Sequence, residues 1–184
     1  EDSSFALLPA DHVIEDSKGF QSTLETAFEA AEAEDQLVTV GIKPTFPSTG
    51  YGYLEQGKSL GCYNGSPVSE VSRFVEKPNK EKAQQYLDAG NYFWNAGMFV
   101  WRPRVILAEI ERLVPELTAG LGSLDKEWQE SNNLEVAMSK VYPNLEKISI
   151  DFAVMEKAER VAMVESTFDW DDVGEWPAIE RHYP

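Results

Sequence analysis

The sequence predicts an α/β fold in which a Rossmann-like, mixed and mostly parallel sheet is flanked by helices. Short apolar runs rich in β-branched and aromatic residues alternate with segments whose apolar residues recur at helical spacing. The chain has 184 residues, enough to enclose a hydrophobic core, and its single cysteine excludes an internal disulfide. We therefore expect one domain over residues 1–184.

The beginning of the chain predicts a strand, a helix and a second strand. Residues 4–8 form a short apolar run before Pro9, which indicates a buried strand that ends at Asp11. Apolar residues then recur at helical spacing over residues 19–34, and the apolar run 37–41 indicates the next strand. Because a crossover helix joins parallel strands, this order predicts a parallel pair.

The middle of the chain predicts a loop, a polar helix and several strands. Residues 43–52 contain two prolines and two glycines, which indicates a loop whose backbone can approach a ligand closely. A polar helix is expected over residues 80–89, and Gly90 would end it. Strands are expected at residues 51–55, 69–76 and 92–101.

The remainder of the chain is mostly helical by pattern. Helical spacing begins beyond Pro103 and continues weakly to Leu124. Short helices are expected at residues 136–142 and 150–158, a strand at 161–164 and a terminal helix at 175–182.

The charge of the chain excludes one class of partner. Lys and Arg number 16 against 32 Asp and Glu, a formal net charge of -16 that repels the phosphate backbone of polymeric nucleic acid. Small phosphate esters stay possible, because a local lysine or cation outweighs a distant field screened over ~10 Å at 0.1 M salt. No apolar run approaches the ~20 residues that span a bilayer. We expect a cytoplasmic protein with no membrane partner.

Two aspartates are candidate metal ligands. Asp11 and Asp172 each follow an apolar or aromatic stretch and precede a loop, where open α/β sheets gather their ligands. Two such carboxylates could hold Mg²⁺, a hard cation that prefers oxygen and keeps positions for substrate phosphates. Alternatively, Asp11 caps a turn and Asp172 begins a helix. Asp171 could also be the ligand in place of Asp172.

Five further residues are candidates for binding a sugar phosphate. The Lys77 ammonium could reach a phosphate as a point charge, and Glu76 could accept hydrogen bonds from sugar hydroxyls. This pair could also be a solvated strand end. Asn95 offers a donor and an acceptor, unless it only fills a bulge. Tyr51 could stack on a sugar face and Gly52 could let the backbone approach a ligand closely, or either could close a turn.

The sequence gives no support to hydrolase or zinc chemistry. No serine or cysteine lies in a nucleophile-elbow or Cys-His setting, and no zinc-type cluster of His and Cys occurs. His12 has no second histidine nearby, so we expect it to be a hydrogen-bonded structural residue.

In their order along the chain, five segments resemble the mannose-1-phosphate guanylyltransferases, or GDP-mannose pyrophosphorylases, of the nucleotide-sugar transferase superfamily. They are Leu8-Pro-Ala-Asp-His12, Thr49-Gly-Tyr-Gly-Tyr53, Phe74-Val-Glu-Lys-Pro78, Phe93-Trp-Asn-Ala-Gly-Met-Phe99 and Trp170-Asp-Asp-Val-Gly174. The resemblance implies that mannose-1-phosphate attacks the α-phosphorus of GTP, giving GDP-mannose and pyrophosphate. It also implies that Asp11 and Asp172 hold Mg²⁺, that Glu76 and Lys77 form a sugar-phosphate motif, and that the Gly52 backbone contacts the sugar.

The chain departs from this family at one point. A Gly-x-Gly-x-Arg loop that cradles the triphosphate is expected before Asp11 and is absent. We therefore expect a fragment that supplies the sugar-phosphate and metal part of the site, is nearly inactive alone, and associates with itself or with the missing N-terminal part. Two alternatives are a degenerate, non-catalytic module that binds a nucleotide sugar or a partner chain, and a nucleotidyltransferase for another hexose-1-phosphate.

Overall fold

The computed structural model describes residues 3–174, which divide into two compact units. The first unit contains the chain up to Val105 together with the part from Glu159 onward, and the second contains Ile106–Ala158. A six-stranded mixed sheet with packed helices builds the first unit, which confirms the predicted α/β class. The expectation of one domain stays a prediction, and the expected terminal helix at 175–182 lies outside the described residues.

The elements of the first unit follow the predicted order. Its strands are β1 (Phe5–Leu7), β2 (Leu37–Ile42), β3 (Tyr53–Tyr63), β4 (Ser66–Val75), β5 (Tyr92–Trp101) and β6 (Val161–Glu165). Its helices are α1 (Ser17–Glu34) and α2 (Lys80–Ala89). Asn79 caps the start of α2 through its side chain, and Gly90 ends it in the left-handed conformation, as expected.

The second unit is helical. Its helices are α3, which begins at the boundary and spans Pro103–Leu113, α4 (Pro115–Ser131) and α5 (Leu134–Val141). A 3₁₀ turn (Tyr142–Asn144) and a π-helical turn (Asp151–Met155) complete it. Across the described residues of both units, no helix is both long and apolar enough to cross a membrane.

The directions of the strands correct one expectation. The strand order is β1-β5-β2-β6-β4-β3, and β3 also pairs with β5. Within residues 3–174, β2 with β6 is the one parallel pair, so the expectation of a mostly parallel sheet is wrong. The reason is that β5 lies between β1 and β2 and runs antiparallel to both. The two strands joined by α1 therefore share a direction without being neighbours.

The first strand is also more exposed than expected. We expected a buried strand that ends at Asp11, but β1 ends at Leu7, and Phe5 and Leu7 are 41% and 49% exposed. β1 stands at the end of the strand order, where its one paired strand among the described residues is β5. A short apolar run indicates a strand but does not distinguish an edge position from a central one.

The core of the first unit lies between the sheet and its helices. Small side chains of α1, such as Ala27 and Ala31, pack on Val38 and Val100 of the sheet. Tyr86 of α2 packs beside Tyr53. These contacts hold in place the strands whose ends carry the candidate site residues.

A tight turn joins β3 to β4 and makes both strands longer than the sequence predicted. The turn consists of Asn64 and Gly65, with φ of 45° and 80°, between the paired residues Tyr63 and Ser66. Positive φ at both central residues is typical of a type I′ hairpin, for which Asn-Gly is the preferred sequence. The dipeptide was therefore an available signal for this hairpin.

Replacing Gly65 with alanine should destabilise the protein by about 1 kcal/mol. A β-carbon there would meet no atom within 4 Å, so the cost comes from the left-handed backbone alone. Gly122→Ala is the matched control, because it also enters open space but lies within α4, where alanine stabilises by about 0.5–1 kcal/mol. Urea unfolding of the two variants should show shifts of opposite sign, and shifts of the same sign would contradict this assignment.

Candidate functional site

Two segments from opposite ends of the chain meet in the first unit. The N–H of Val13 donates to the carbonyl of Asp171 at 2.8 Å, and the N–H of Asp171 donates back to Val13 at 3.2 Å. This isolated antiparallel bridge places the segment that carries Asp11 beside the segment that carries Asp172. The two candidate metal ligands are therefore on the same side of the molecule.

Hydrogen bonds of side chains also join these two segments. The Asp169 carboxylate accepts hydrogen bonds from the N–H groups of Glu15 and Asp16, at 3.0 and 2.9 Å. The Trp170 indole N–H donates to Nδ1 of His12 at 3.0 Å, with the two rings edge to face. The expected hydrogen bond of His12 is confirmed, and its structural role stays a prediction.

The charge state of His12 agrees with this hydrogen bond. Burial lowers the pKa of His12 below its ordinary value, which favours the neutral imidazole that can accept a hydrogen bond at Nδ1. Three negative charges oppose the shift in pKa, those of Asp11, Asp172 and Asp171 in descending order. Because these carboxylates act on one imidazole, Asp11 and Asp172 contribute to one shared electrostatic environment.

The Asp172 carboxylate contacts a third segment, the loop of residues 43–52. The Tyr51 hydroxyl donates to Oδ1 of Asp172 at 2.9 Å, and the N–H of Gly174 approaches the same oxygen at 3.3 Å. Val173, between Asp172 and Gly174, has φ of +47°, which is strained for a β-branched residue. Strained backbone of this kind clusters at active sites and ligand clamps.

Aromatic side chains surround Tyr51. Its ring meets Trp94 and Trp170 edge to face, with centroids 5.0 and 5.2 Å away. Phe46 in turn lies 4.8 Å from the Trp94 ring. The expected stacking of Tyr51 on a sugar face stays a prediction, while the observed ring contacts are to protein.

Gly52, Glu76 and Asn95 lie together. The N–H of Asn95 donates to the carbonyl of Gly52 at 2.9 Å, where β5 passes the start of β3. A β-carbon on Gly52 would overlap the Glu76 carboxylate and would lie 3.3 Å from the Cβ of Asn95. Glycine is therefore required here so that Glu76 can lie over the backbone.

Lys77 adjoins this group through Glu76. Its ammonium lies 3.5 Å from the Glu76 carboxylate, and its side chain is 61% exposed whereas that of Glu76 is 10% exposed. Lys77 has φ of +45° and precedes Pro78, so it occupies an unusual conformation for a lysine. The strained turn projects a cation into solvent beside a nearly buried carboxylate.

The orientation of the Asn95 amide follows from its donors. Its Oδ1 lies 3.2 Å from the N–H of Gly97 and 3.0 Å from the hydroxyl of Thr39. Because a backbone N–H can only donate, the atom that faces Gly97 must be the oxygen. The oxygen of Asn95 thus accepts hydrogen bonds from the protein itself, from Gly97 and from Thr39, and Thr39 is not among the predicted site residues. Thr39 lies 56 residues before Asn95 in the sequence, so no local sequence pattern connects the two residues.

The donor chemistry of the site suits a shared metal ion. Within the described part of the chain, no group of three or more His, Cys, Asp and Glu side chains is arranged to hold a metal by itself. Mg²⁺ does not need such a cage, because it commonly takes one or two carboxylates and fills its other positions with water and substrate phosphates. Asp11 and Asp172 are oxygen donors of this kind.

The structure therefore relates all seven predicted residues to one region of the first unit. Direct contacts join Tyr51 with Asp172, and Gly52 with Glu76 and Asn95, while Tyr51 and Gly52 are adjacent in the chain. Lys77 contacts Glu76, and Asp11 shares the surroundings of His12 with Asp172.

Comparisons with known proteins agree on one family. The model of a family described as nucleotidyl transferase matches residues 1–183. A mannose-1-phosphate guanylyltransferase of Sinorhizobium fredii is 39% identical over 182 residues, covering 99% of this chain and 35% of that protein. One of Escherichia coli is 37% identical over 186 residues, covering 97% of this chain and 38% of that protein. The chain thus spans little more than a third of the length of these relatives.

A solved structure supports the same relationship. The crystal structure described as a mannose-1-phosphate geranyltransferase from Thermus thermophilus matches with a TM-score of 0.82 and 38% identity. The match covers 97% of this chain and 49% of that one.

Proposed function

The chain belongs to the nucleotidyl transferase family, and we propose that it supplies the sugar-phosphate and metal part of a site that makes GDP-mannose and pyrophosphate from mannose-1-phosphate and GTP. One observation carries the proposal. The segments bearing Asp11 and Asp172 meet beside the loop whose Tyr51 and Gly52 lead to Glu76 and Asn95. Carboxylates for a cation and polar groups for a hexose thus come from five separate segments.

The proposed reaction needs positioning and charge neutralisation more than a protein nucleophile. An oxygen of the sugar phosphate attacks the α-phosphorus of GTP, a new P–O bond forms, and the bond to the β-phosphate breaks to release pyrophosphate. Asp11 and Asp172 would hold Mg²⁺, which when bound neutralises phosphate charge. Glu76 would accept hydrogen bonds from hexose hydroxyls.

Lys77 is suited to the phosphate of the sugar. Its ion pair with Glu76 is exposed on the lysine side, and such pairs contribute about 0–1 kcal/mol. A phosphate that competes for the ammonium therefore displaces little stabilising energy. The exposed ammonium can turn from the carboxylate to a ligand while Glu76 stays in place.

Calorimetric titration with mannose-1-phosphate and GDP-mannose, in excess Mg²⁺ and in EDTA, tests the proposal. We expect binding that depends on Mg²⁺. Lys77→Ala should weaken mannose-1-phosphate binding by about tenfold. This loss is at the lower end of the range for hydrogen bonds to charged groups, because the lysine is exposed. Lys58→Ala, which removes an exposed lysine from β3, should leave the affinity unchanged.

Two results would count against the proposed function. The first is that neither ligand binds in Mg²⁺. The second is that the two lysine variants lose affinity equally, because the loss would then reflect net charge and not a site. A parallel titration with glucose-1-phosphate separates mannose specificity from general hexose-phosphate binding.

A further inference from the structure

Hydrogen bonds to the Asp172 carboxylate converge on one oxygen. Within residues 3–174, both hydrogen bonds that reach this carboxylate end on Oδ1, from the Tyr51 hydroxyl at 2.9 Å and from the Gly174 N–H at 3.3 Å. The hydrogen bond from the phenol is the shorter of the two. A hydroxyl that donates to a carboxylate makes a charge-assisted hydrogen bond. Tyr51 thus makes the stronger of the two contacts that orient Asp172.

Contacts other than the hydrogen bond to Asp172 also set the position of this hydroxyl. The Tyr51 ring is held edge to face by Trp94, which is 4% exposed, and by Trp170. Trp170 is itself fixed by the hydrogen bond from its indole to His12. Because the ring packs edge to face against two tryptophans, the hydroxyl is a preorganised donor.

From this geometry we infer that Tyr51 is a positioning residue that orients the Asp172 carboxylate toward a divalent cation, without itself contacting the cation. The inference rests on the proposed function, since it names how that site is prepared for its metal. A carboxylate whose orientation is already set loses less conformational freedom when it binds a cation. Partners that orient a ligand in this way commonly change metal affinity by about 10- to 100-fold when they are removed.

Tyr51→Phe isolates the hydroxyl, because phenylalanine keeps the ring contacts with the two tryptophans. Tyr53→Phe is the matched control: Tyr53 is two residues away, and its hydroxyl donates to the carbonyl of Ser48 at 2.9 Å and not to a carboxylate. Calorimetry would measure Mg²⁺ affinity in saturating mannose-1-phosphate, and mannose-1-phosphate affinity in EDTA, for both variants and the unaltered chain.

The expected result is a loss of about tenfold in Mg²⁺ affinity for Tyr51→Phe, with the affinity in EDTA unchanged and Tyr53→Phe equal to the unaltered chain. Equal Mg²⁺ affinity in Tyr51→Phe and the unaltered chain would overturn the inference and leave the proposed function standing. If the unaltered chain takes up no Mg²⁺, the metal part of the proposed function fails and the inference fails with it.

A double-mutant cycle gives an independent test of the route through Asp172. If Tyr51 acts by orienting that carboxylate, Tyr51→Phe should have no further effect on mannose-1-phosphate affinity in Mg²⁺ once Asp172→Asn is present. A second, additive loss of about tenfold in the Asp172→Asn background would overturn the inference, because Tyr51 would then contact the ligand by another path.

Discussion

Replacing Asp172 by asparagine is expected to weaken mannose-1-phosphate binding in Mg²⁺ by about 100-fold and to abolish its dependence on Mg²⁺. Asparagine keeps the shape of the side chain and an oxygen that can accept from Tyr51 and Gly174, so only the charge is lost. Removing a residue that merely orients a metal ligand lowers metal affinity by about 10- to 100-fold. The loss of a ligand itself should therefore reach the upper end of this range. Titration in excess Mg²⁺ and in EDTA measures both effects.

Asp171→Asn is the matched control for this experiment. Oδ1 of Asp171 accepts the N–H of Val173 at 3.1 Å, a role that an amide oxygen can also fill. We therefore expect the affinity of Asp171→Asn for mannose-1-phosphate in Mg²⁺ to stay within about twofold of that of the unaltered chain, because the substitution keeps this hydrogen bond. If Asp171→Asn proved the more damaging of the two, the cation ligand would be Asp171, which is the alternative that the sequence left open.

A second large effect is expected in the core, where Gly41→Ala should destabilise the protein by about 2–3 kcal/mol. A β-carbon on Gly41 would overlap the sulfur of Met163 and would lie 3.1 Å from the Cβ of Phe93. Met163 and Phe93 are 1% and 2% exposed, so neither side chain can turn outward into solvent. The destabilisation should therefore lie near the upper end of the range for overpacked cores. Urea unfolding would measure it.

The double variant with Met163→Ala identifies the cause of this destabilisation. Truncating Met163 should itself cost about 2–5 kcal/mol, but it opens the space that the new methyl group needs. In that background the added cost of Gly41→Ala should fall below about 1 kcal/mol. An unchanged cost would show that the backbone of β2, where the register shifts between Thr39 and Gly41, and not Met163, opposes the substitution.

The sequence predicted the elements whose ends have local signals. The strand at 92–101 and the helix at 80–89 have the predicted bounds, because an aromatic run, a capping asparagine and a left-handed glycine mark them. The neighbours of each strand were not predictable in this way. The insertion of β5 between β1 and β2 depends on contacts between segments distant in sequence, and no periodicity within either strand reports them.

The same distinction applies to the candidate site. Its residues could be selected from short motifs, because each motif combines a polar side chain with a turn or a strand end. The contacts that arrange them could not, since Tyr51 and Asp172 are 121 residues apart and His12 and Trp170 are 158 apart. Thr39 and the orientation it helps to give Asn95 are likewise visible only when two strands are side by side.

The hydrogen bonds from Glu15 and Asp16 to Asp169 have a thermodynamic consequence. Asp16 caps the start of α1 through its own carboxylate. The hydrogen bonds therefore join the start of this helix to the segment that leads from Asp169 to Asp172. A ligand that favours the folded arrangement of one segment must favour that of the other by linkage. Saturating the site should therefore slow amide hydrogen exchange in the first turn of α1.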